Sequence, residues 1–263
     1  MSIHPNAVVS PKARIASDAV VGPFCVVGPE VEIGPGCSLL RHVTIAGRVR
    51  LGARNVLHPT CVIGGPPQDE QPSAPDARVE IGDDNVFREA VTVHQPKVPG
   101  NPTRIGSHNR FDQGSHVAHD SRVGSHVVLG KLALSGGHVV LDDHVTIGSY
   151  AALHQHVSVG RFTFLGRHSG ISEDAPPFLR YVGLGTPPVG VRIEELARRG
   201  FPASTIRAIE QAFQVVWHEG LPRHEAVLQL EGSPVPEVRE MARMLRRSLN
   251  GRNGRAGEGS RRG

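Results

Sequence analysis

The amino-acid sequence predicts an all-β solenoid, a parallel β-helix of hexapeptide repeats, followed by an α-helical C-terminal domain. Three observations predict it: an aliphatic residue recurs at every sixth position, the residue two positions earlier is small or β-branched, and glycine often follows the aliphatic residue. Six residues advance an α-helix by about 600°, which scatters the aliphatic residues over several faces, whereas in an extended chain they all point one way. Flat six-residue sides ended by tight corners are typical of a parallel β-helix.

The repeats predict a β-helix over residues 1–172. The first run keeps its aliphatic positions at Ile3, Val9, Ile15, Val21, Val27, Ile33, Leu39, Ile45, Leu51, Leu57 and Ile63. The proline-rich segments near residues 66–78 and 95–102 break the period, and we expect loops that leave the prism there. From Ile105 to Ile171 the period is unbroken, with Ser135 as the one polar departure. Cys25, Cys37 and Cys61 occupy small inward positions, which favours core packing over a disulfide or metal site.

Beyond the repeats the periodicity becomes helical. Residues 173–190 are predicted to be a linker, 191–249 an α-helical domain and 250–263 a disordered basic tail. The spacing of apolar residues predicts helices at 193–199, 202–219, 223–230 and 236–249.

Composition limits the class of protein. The chain has 263 residues, a net charge of +4 and only 4% aromatic residues, which suits a narrow prism. Arginines crowd the C-terminal third, a patch that suits an acidic partner or a solvated helix face, while the scarcity of aromatic residues disfavours nucleic acid. Because no signal-peptide pattern and no long apolar run is present, we expect a cytoplasmic location and no integral membrane segment.

The repeat also predicts a cluster of polar residues. One coil of a triangular prism takes eighteen residues, so residues eighteen apart lie in register. His119, Gly137 and Gln155 then form one column, and Asp120, His138 and His156 form the next. The segments that contain them should meet at one edge of the prism.

This column suits acyl transfer. A histidine beside a carboxylate can act as a general base, and a glycine N–H facing it can stabilise an oxyanion. No G-x-S-x-G motif or suitably placed cysteine supports an acyl-enzyme, so direct attack is favoured, without cofactor or metal. Two alternatives remain: zinc held by His116, His119 and His138, or a histidine ladder with only a structural role.

Six motifs in order resemble the acyl-[acyl-carrier-protein]–UDP-N-acetylglucosamine O-acyltransferases of lipid A biosynthesis, over about residues 1–248. The motifs are GPFCVVGPEVEIG, VEIGDDNVFREAVTVH, HVAHD, SGGHV, ALHQH and IEELARRGF. The resemblance implies a left-handed β-helix, a helical C-terminal domain and a homotrimer whose active sites lie between neighbouring prisms.

Carried over by position, the resemblance makes His119 the general base, Asp120 its orienting partner and Gly137 the oxyanion donor. It implies that sugar-nucleotide contacts come from Asp69, His116, His138, His154, Gln155, Glu194, Arg198 and Arg199. At the position where glycine permits a long acyl chain this sequence has Arg167, so a shorter chain is expected. The sequence departs from the family pattern at Gln71, Gln95, Lys131, Leu132 and Arg192.

The sequence therefore predicts transfer of an (R)-3-hydroxyacyl group from acyl carrier protein to the 3-hydroxyl of UDP-N-acetylglucosamine. Acylation of a 3-amino or otherwise related sugar nucleotide stays open. A γ-type carbonic anhydrase using zinc and a purely structural β-helix are the more distant alternatives.

Overall fold

The computed structural model describes residues 2–69 and 72–259. Three sheets of 11, 9 and 8 strands, here called sheets A, B and C, form the sides of a triangular prism. In the described part of the chain all strand pairs are parallel except that of Leu179–Tyr181 with Gly190–Val191. The predicted parallel β-helix is thus confirmed.

Each coil contributes one short strand to each sheet. Sheet A comprises Ser2–Ile3, Val20–Val21, Ser38–Leu39, Val56–Leu57, Val86–Phe87, Arg110–Phe111, Val128–Leu129, Thr146–Ile147, Phe164–Leu165, Leu179–Tyr181 and Gly190–Val191. Sheet B comprises Val8–Val9, Val26–Val27, Thr44–Ile45, Val62–Gly65, Thr92–His94, His116–Val117, Leu134–Ser135, Ala152–Leu153 and Gly170–Ile171. Sheet C comprises Arg14–Ile15, Val31–Ile33, Arg48–Leu51, Arg78–Ile81, Thr103–Ile105, Arg122–Val123, Val140–Leu141 and Ser158–Val159.

The pairing register of the strands explains why the six-residue period continues in phase after the two excursion loops. Val20 pairs with Ser38, eighteen residues on, but Val56 pairs with Val86 and Val86 with Arg110, thirty and twenty-four residues on. The excursions therefore add twelve and six residues, both multiples of the repeat. They leave sheet B after Gly65 and His94 and rejoin sheet C at Arg78 and Thr103.

The prism interior is filled by the aliphatic residues that keep the period. Phe87 and Phe111 stack inside it with ring centroids 4.8 Å apart. At the edge between sheets C and A, the C–A edge, a ladder of buried asparagines satisfies backbone groups. Asn55 Oδ1 accepts from Asn85 N (3.0 Å), Asn85 Oδ1 from Asn109 N (3.0 Å), and Asn109 Oδ1 from Val127 N (2.7 Å).

Glycines after the aliphatic residues are required by stacking between coils. A Cβ on Gly22 would lie 1.4 Å from Leu40 O, and one on Gly148 would lie 2.6 Å from Gly166 C. The left-handed corner conformation falls mostly on other residues, including Asp120, His138 and His156 with φ of 58°, 60° and 66°. Asp and His tolerate this conformation better than most residues, so the corners can carry functional side chains.

Five helices follow within the described residues, up to residue 259: α1 (Ile193–Arg198), α2 (Ala203–Trp217), α3 (Arg223–Glu231), α4 (Pro236–Asn250) and α5 (Ala256–Gly259). The first four begin and end close to the predicted positions and bury Leu196, Ile209, Val227 and Met241 among themselves and the prism end. The guanidinium of Arg161 ties the prism to α4 through Glu240, at 2.7 Å. In the part of the chain described, no helix has the length and apolarity needed to cross a membrane.

The predicted disordered tail differs from the structure over residues 250–259. Asp174 Oδ2 accepts from Ala256 N (2.8 Å), and buried Arg255 donates to the Ser172 carbonyl (2.6 Å). The polar composition suggested disorder because it offers little apolar surface, but here hydrogen bonds to the prism end hold the chain. The last residues, 260–263, lie outside the described part of the chain.

Candidate active site

The edge between sheets B and C, the B–C edge, gathers the predicted polar columns. His116 pairs with Leu134, and Leu134 with Ala152, so the corners that follow them stack. His138 N donates to the His119 carbonyl (3.0 Å), and His156 N donates to the Gly137 carbonyl (2.9 Å). The register inferred from eighteen-residue coils therefore holds here.

His119 and Asp120 form a hydrogen-bonded pair at this edge. His119 Nδ1 lies 2.8 Å from Asp120 Oδ2, and the carboxylate is fully buried. An Nδ1–H that donates to the carboxylate leaves Nε2 with its lone pair, the form that a general base needs.

Asp120 is held by the second excursion loop. Its carboxylate accepts from the backbone N–H groups of Lys97 (3.1 Å) and Val98 (3.0 Å), and its own N–H donates to Thr103 Oγ1 (3.0 Å). Burial favours the neutral acid, but the hydrogen bonds from His119, Lys97 and Val98 outweigh it and hold the pKa of Asp120 at about 2. The carboxylate therefore remains ionised beside the imidazole.

Gly137 lies directly against the His119 ring. A Cβ on Gly137 would come 2.2 Å from His119 Cε1 and 2.5 Å from Nε2, so only glycine leaves space for this packing. Within residues 2–69 and 72–259, no backbone carbonyl accepts the Gly137 N–H. This N–H can therefore serve as a donor beside the imidazole.

Two more imidazoles complete the edge. The ring of His138 meets that of His119 edge-on, with centroids 5.2 Å apart, and its Nε2 lies 3.7 Å from Asp120 Oδ2. His156 stacks on His138 at 4.3 Å. A cavity of about 340 Å³ opens beside them, lined by Lys97, Val98, His119, His138, Gln155, His156, Arg252 and Glu258.

His116 is buried beside this edge and is the first residue of the sheet B strand His116–Val117. Its Nδ1 lies 2.7 Å from Thr92 Oγ1, and its ring packs edge-on against that of His94 at 4.7 Å. Burial, followed by the neighbouring His94 and His119, lowers the pKa of His116 to about 4, so the ring is neutral at physiological pH. A neutral ring can donate or accept a hydrogen bond.

The remaining predicted contacts on this edge are more exposed. Asp69, in the first excursion loop, forms an ion pair with Lys97. The Nδ1 of exposed His154 lies 3.0 Å from the Gln155 carbonyl. Gln71 falls outside the described residues.

Glu194, Arg198 and Arg199 are not brought to this edge within one chain. They lie on or beside α1, where Arg198 and Arg199 both pair with Glu195 at 2.9 Å. Helix α1 is fixed to the C–A edge, because Arg192 donates to the carbonyls of His144 (3.3 Å) and Phe162 (3.4 Å). Sequence spacing could not reveal this separation, since the column argument covers only the prism.

Arg167 lies at the third edge, between sheets A and B. Its side chain is exposed, on the coil where Tyr150 stacks on His168. The outer face of sheet B separates Arg167 from His119. Lys131 and Leu132 lie at the same A–B edge, two coils before Arg167.

Metal ligation has one geometric candidate in the described chain: His119, Asp120 and His138 offer ligand atoms within 4.8 Å of one another. The zinc set considered from sequence, with His116 in place of Asp120, is not this cluster, because His116 lies against Thr92 and His94. A wider cavity of about 810 Å³ on sheet C is lined by none of the B–C edge residues.

Four residues of the cavity lining were not predicted from sequence: Val98, Glu258 and the two cationic residues Lys97 and Arg252. Lys97 reaches the site because its loop folds back onto Asp120, and Arg252 because the chain after α4 returns to the B–C edge. Neither path leaves a periodic signal, although the prolines around Lys97 marked the loop.

The β-helix of hexapeptide coils and the histidine–carboxylate pair on one of its edges match the geometry expected of a hexapeptide-repeat acyltransferase. Residues 174–254 match the family model described as UDP N-acetylglucosamine O-acyltransferase, domain 2. An acyl-[acyl-carrier-protein]–UDP-N-acetylglucosamine O-acyltransferase of Syntrophobacter fumaroxidans is 39% identical over 255 residues, 95% of this chain and 99% of that protein. The chain belongs to the acyl-[acyl-carrier-protein]–UDP-N-acetylglucosamine O-acyltransferase family.

Solved structures agree with this assignment. LpxA from Acinetobacter baumannii superposes with a TM-score of 0.89 at 33% identity, covering 93% of this chain and 96% of that one. The Arabidopsis UDP-N-acetylglucosamine acyltransferase gives a TM-score of 0.84 at 28% identity, covering 97% and 99%. These neighbours confirm the predicted left-handed β-helix with its C-terminal helical region.

Proposed function

We propose that the protein transfers an (R)-3-hydroxyacyl group from acyl carrier protein to the 3-hydroxyl of UDP-N-acetylglucosamine, the first step of lipid A biosynthesis. The observation that carries the proposal is the His119–Asp120 pair packed on Gly137 at the edge of a β-helix of this family.

The reaction uses direct attack. His119 Nε2 takes the proton of the sugar hydroxyl as its oxygen bonds to the thioester carbonyl carbon, while Asp120 holds the ring and stabilises the imidazolium. The tetrahedral oxyanion accepts a hydrogen bond from Gly137 N–H. The carbon–sulfur bond then breaks, and the imidazolium proton passes to the departing thiolate.

Acceptor binding is assigned to both sides of an interface between chains. Asp69, His116, His138, His154 and Gln155 line the acceptor site of one chain. Glu194, Arg198 and Arg199 reach that site from the neighbouring chain of a homotrimer, where the guanidinium groups suit a diphosphate. Their position at the C–A edge supports this arrangement, because one chain alone does not join the two sets.

Two features determine which acyl donor the protein uses, one acting on the length of the acyl chain and the other on the carrier protein. Arg167 limits the length of the acyl slot along sheet B, so an Arg167→Gly variant is expected to accept longer chains. The exposed arginines of α4, such as Arg243 and Arg247, suit an acidic carrier protein. Acyl carrier protein as the donor is consistent with a cytoplasmic location, and that location stays a prediction.

The test is a product assay. The protein is incubated with 3-hydroxyacyl carrier proteins of several chain lengths and either UDP-N-acetylglucosamine or its 3-amino analogue, and products are read by mass. We expect an O-acylated product from the first acceptor and a donor optimum below the longest chain. If only the 3-amino analogue were acylated, the acceptor would be the 3-amino sugar nucleotide and not UDP-N-acetylglucosamine.

The zinc-dependent carbonic anhydrase alternative is not favoured, because the relatives are acyltransferases.

A further inference from the structure

The chain after α4, residues 251–259, forms what we call the C-terminal arm, and it reaches the B–C edge. Asp174 N donates to the Gly254 carbonyl (2.9 Å), and Ala256 N donates to Asp174 Oδ2 (2.8 Å). A Cβ on Gly257 would lie 3.2 Å from the His156 carbonyl, so the arm is in contact with the corner that carries this histidine. The arm is therefore one wall of the cavity beside His119.

The two arginines of the arm differ in their partners. Arg255 is buried and donates to Ser172 O (2.6 Å) and, through Nη2, to Glu258 Oε2 (2.6 Å), so it fixes the arm and neutralises Glu258. Arg252 is exposed on the cavity wall, and no carboxylate in the described chain lies within ion-pair distance of it. Its guanidinium is a cation beside His119 with donors left for a ligand.

Lys97 supplies a second cation in the lining of the same cavity. Its side chain is only 15% exposed, and the ion pair of its ammonium with Asp69 restrains its position. An ammonium has three donors, so pairing with one carboxylate leaves capacity for a further acceptor. The backbone N–H of Lys97 belongs to the Asp120 contact, so side chain and backbone have separate tasks.

The charges that line the cavity favour an anion. Lys97 and Arg252 are the two cations, and the one carboxylate in the lining, that of Glu258, is bonded to Arg255. Asp120 lies behind His119 with its oxygens bonded to N–H groups. Phosphate oxygens suit an ammonium and a guanidinium that line one cavity, because charge-assisted hydrogen bonds to phosphate are short and strong.

We propose that Lys97 and Arg252 bind a phosphate group of a substrate in the cavity beside His119, with the C-terminal arm as an active-site element. The proposal rests on the proposed function, in which both substrates carry phosphate: the diphosphate of the sugar nucleotide and the phosphodiester of the carrier's phosphopantetheine arm.

The test uses Lys97→Met and Arg252→Gln in the full-length protein. Both variants keep the backbone, so the Lys97 N–H still holds Asp120. We expect KM for one substrate to rise about 10-fold in each variant, the factor for one charge-assisted hydrogen bond, with kcat within about two-fold of wild type. A rise for the sugar nucleotide identifies the diphosphate, and a rise for the acyl carrier identifies its phosphodiester.

The control is Arg207→Gln, which removes an exposed arginine of α2 that is not among the residues lining the cavity. If both KM values in the Lys97 and Arg252 variants stay within two-fold of this control, the proposal is wrong. Calorimetric titration with inorganic pyrophosphate provides a readout without turnover. Weaker binding in the two variants supports the phosphate site even if no acyl donor is used, and unchanged binding overturns it.

Discussion

The packing of His119 on Gly137 leaves no space for a single additional carbon. Because a Cβ would lie 2.2 Å from the ring, Gly137→Ala must displace the imidazole. A displacement of about 1 Å costs about 100-fold in rate, so we expect kcat to fall by that factor while the protein stays folded. Gly232→Ala is the control, since its nearest neighbour would be 3.6 Å away. Normal kcat in Gly137→Ala would show that this packing does not matter.

His116 makes stability depend on pH. Burial lowers its pKa from 6.5 to about 4, so the unfolded chain binds the proton more readily than the folded one. The contribution of neutral His116 to the free energy of unfolding is therefore fully present above pH 6.5 and decreases as the pH falls below that value. The decrease ends below about pH 4, where it amounts to about 3 kcal/mol. We expect urea unfolding of His116→Gln to show a smaller loss from pH 7 to pH 4. An equal loss of unfolding free energy between pH 7 and pH 4 in the variant and the wild type would contradict this.

The elements of the prism could be predicted because each coil repeats one set of constraints. Buried sides, corners and excursions follow from the period, and so does the meeting of His119, Gly137 and Gln155, because no insertion interrupts residues 105–171. Asn55, Asn85 and Asn109 share one repeat position, two residues before Leu57, Phe87 and Phe111, but the two excursions separate them by thirty and twenty-four residues, so the eighteen-residue spacing alone did not reveal the ladder. Lys97 and Arg252 were missed because their segments are held at the B–C edge by hydrogen bonds to residues distant in sequence, such as Asp120 and Asp174.

The asparagine ladder makes a prediction at the level of elements. Asn85→Ala removes the acceptor of the buried Asn109 N–H and the donor to the partly buried Gly106 carbonyl. Buried polar groups left without partners cost about 1–3 kcal/mol each, so we expect unfolding to require about 2–4 kcal/mol less. Asn6→Ala, at an exposed corner, is the matched control and is expected to change little. Equal urea midpoints for the two variants would rule out this role.

At the level of the whole molecule, the separation of α1 from the B–C edge predicts complementation. If His119 of one chain works with Arg198 and Arg199 of its neighbour, His119→Ala and an Arg198→Ala, Arg199→Ala double variant lack different halves of each site. Randomly mixed trimers of the two, in equal amounts, restore about one site in four. We expect about a quarter of wild-type activity after denaturation and joint refolding. Activity no greater than the sum of the separate variants would contradict a shared site.

The most direct measurement is the rate of acyl transfer by His119→Ala, taken beside its circular dichroism and its mass in solution. A general base contributes about 10² to 10⁴ in rate, so we expect kcat to fall by at least about 100-fold with fold and assembly unchanged. If the folded variant retains most of the wild-type rate, His119 is not the base, and the chemistry assigned to the B–C edge is wrong.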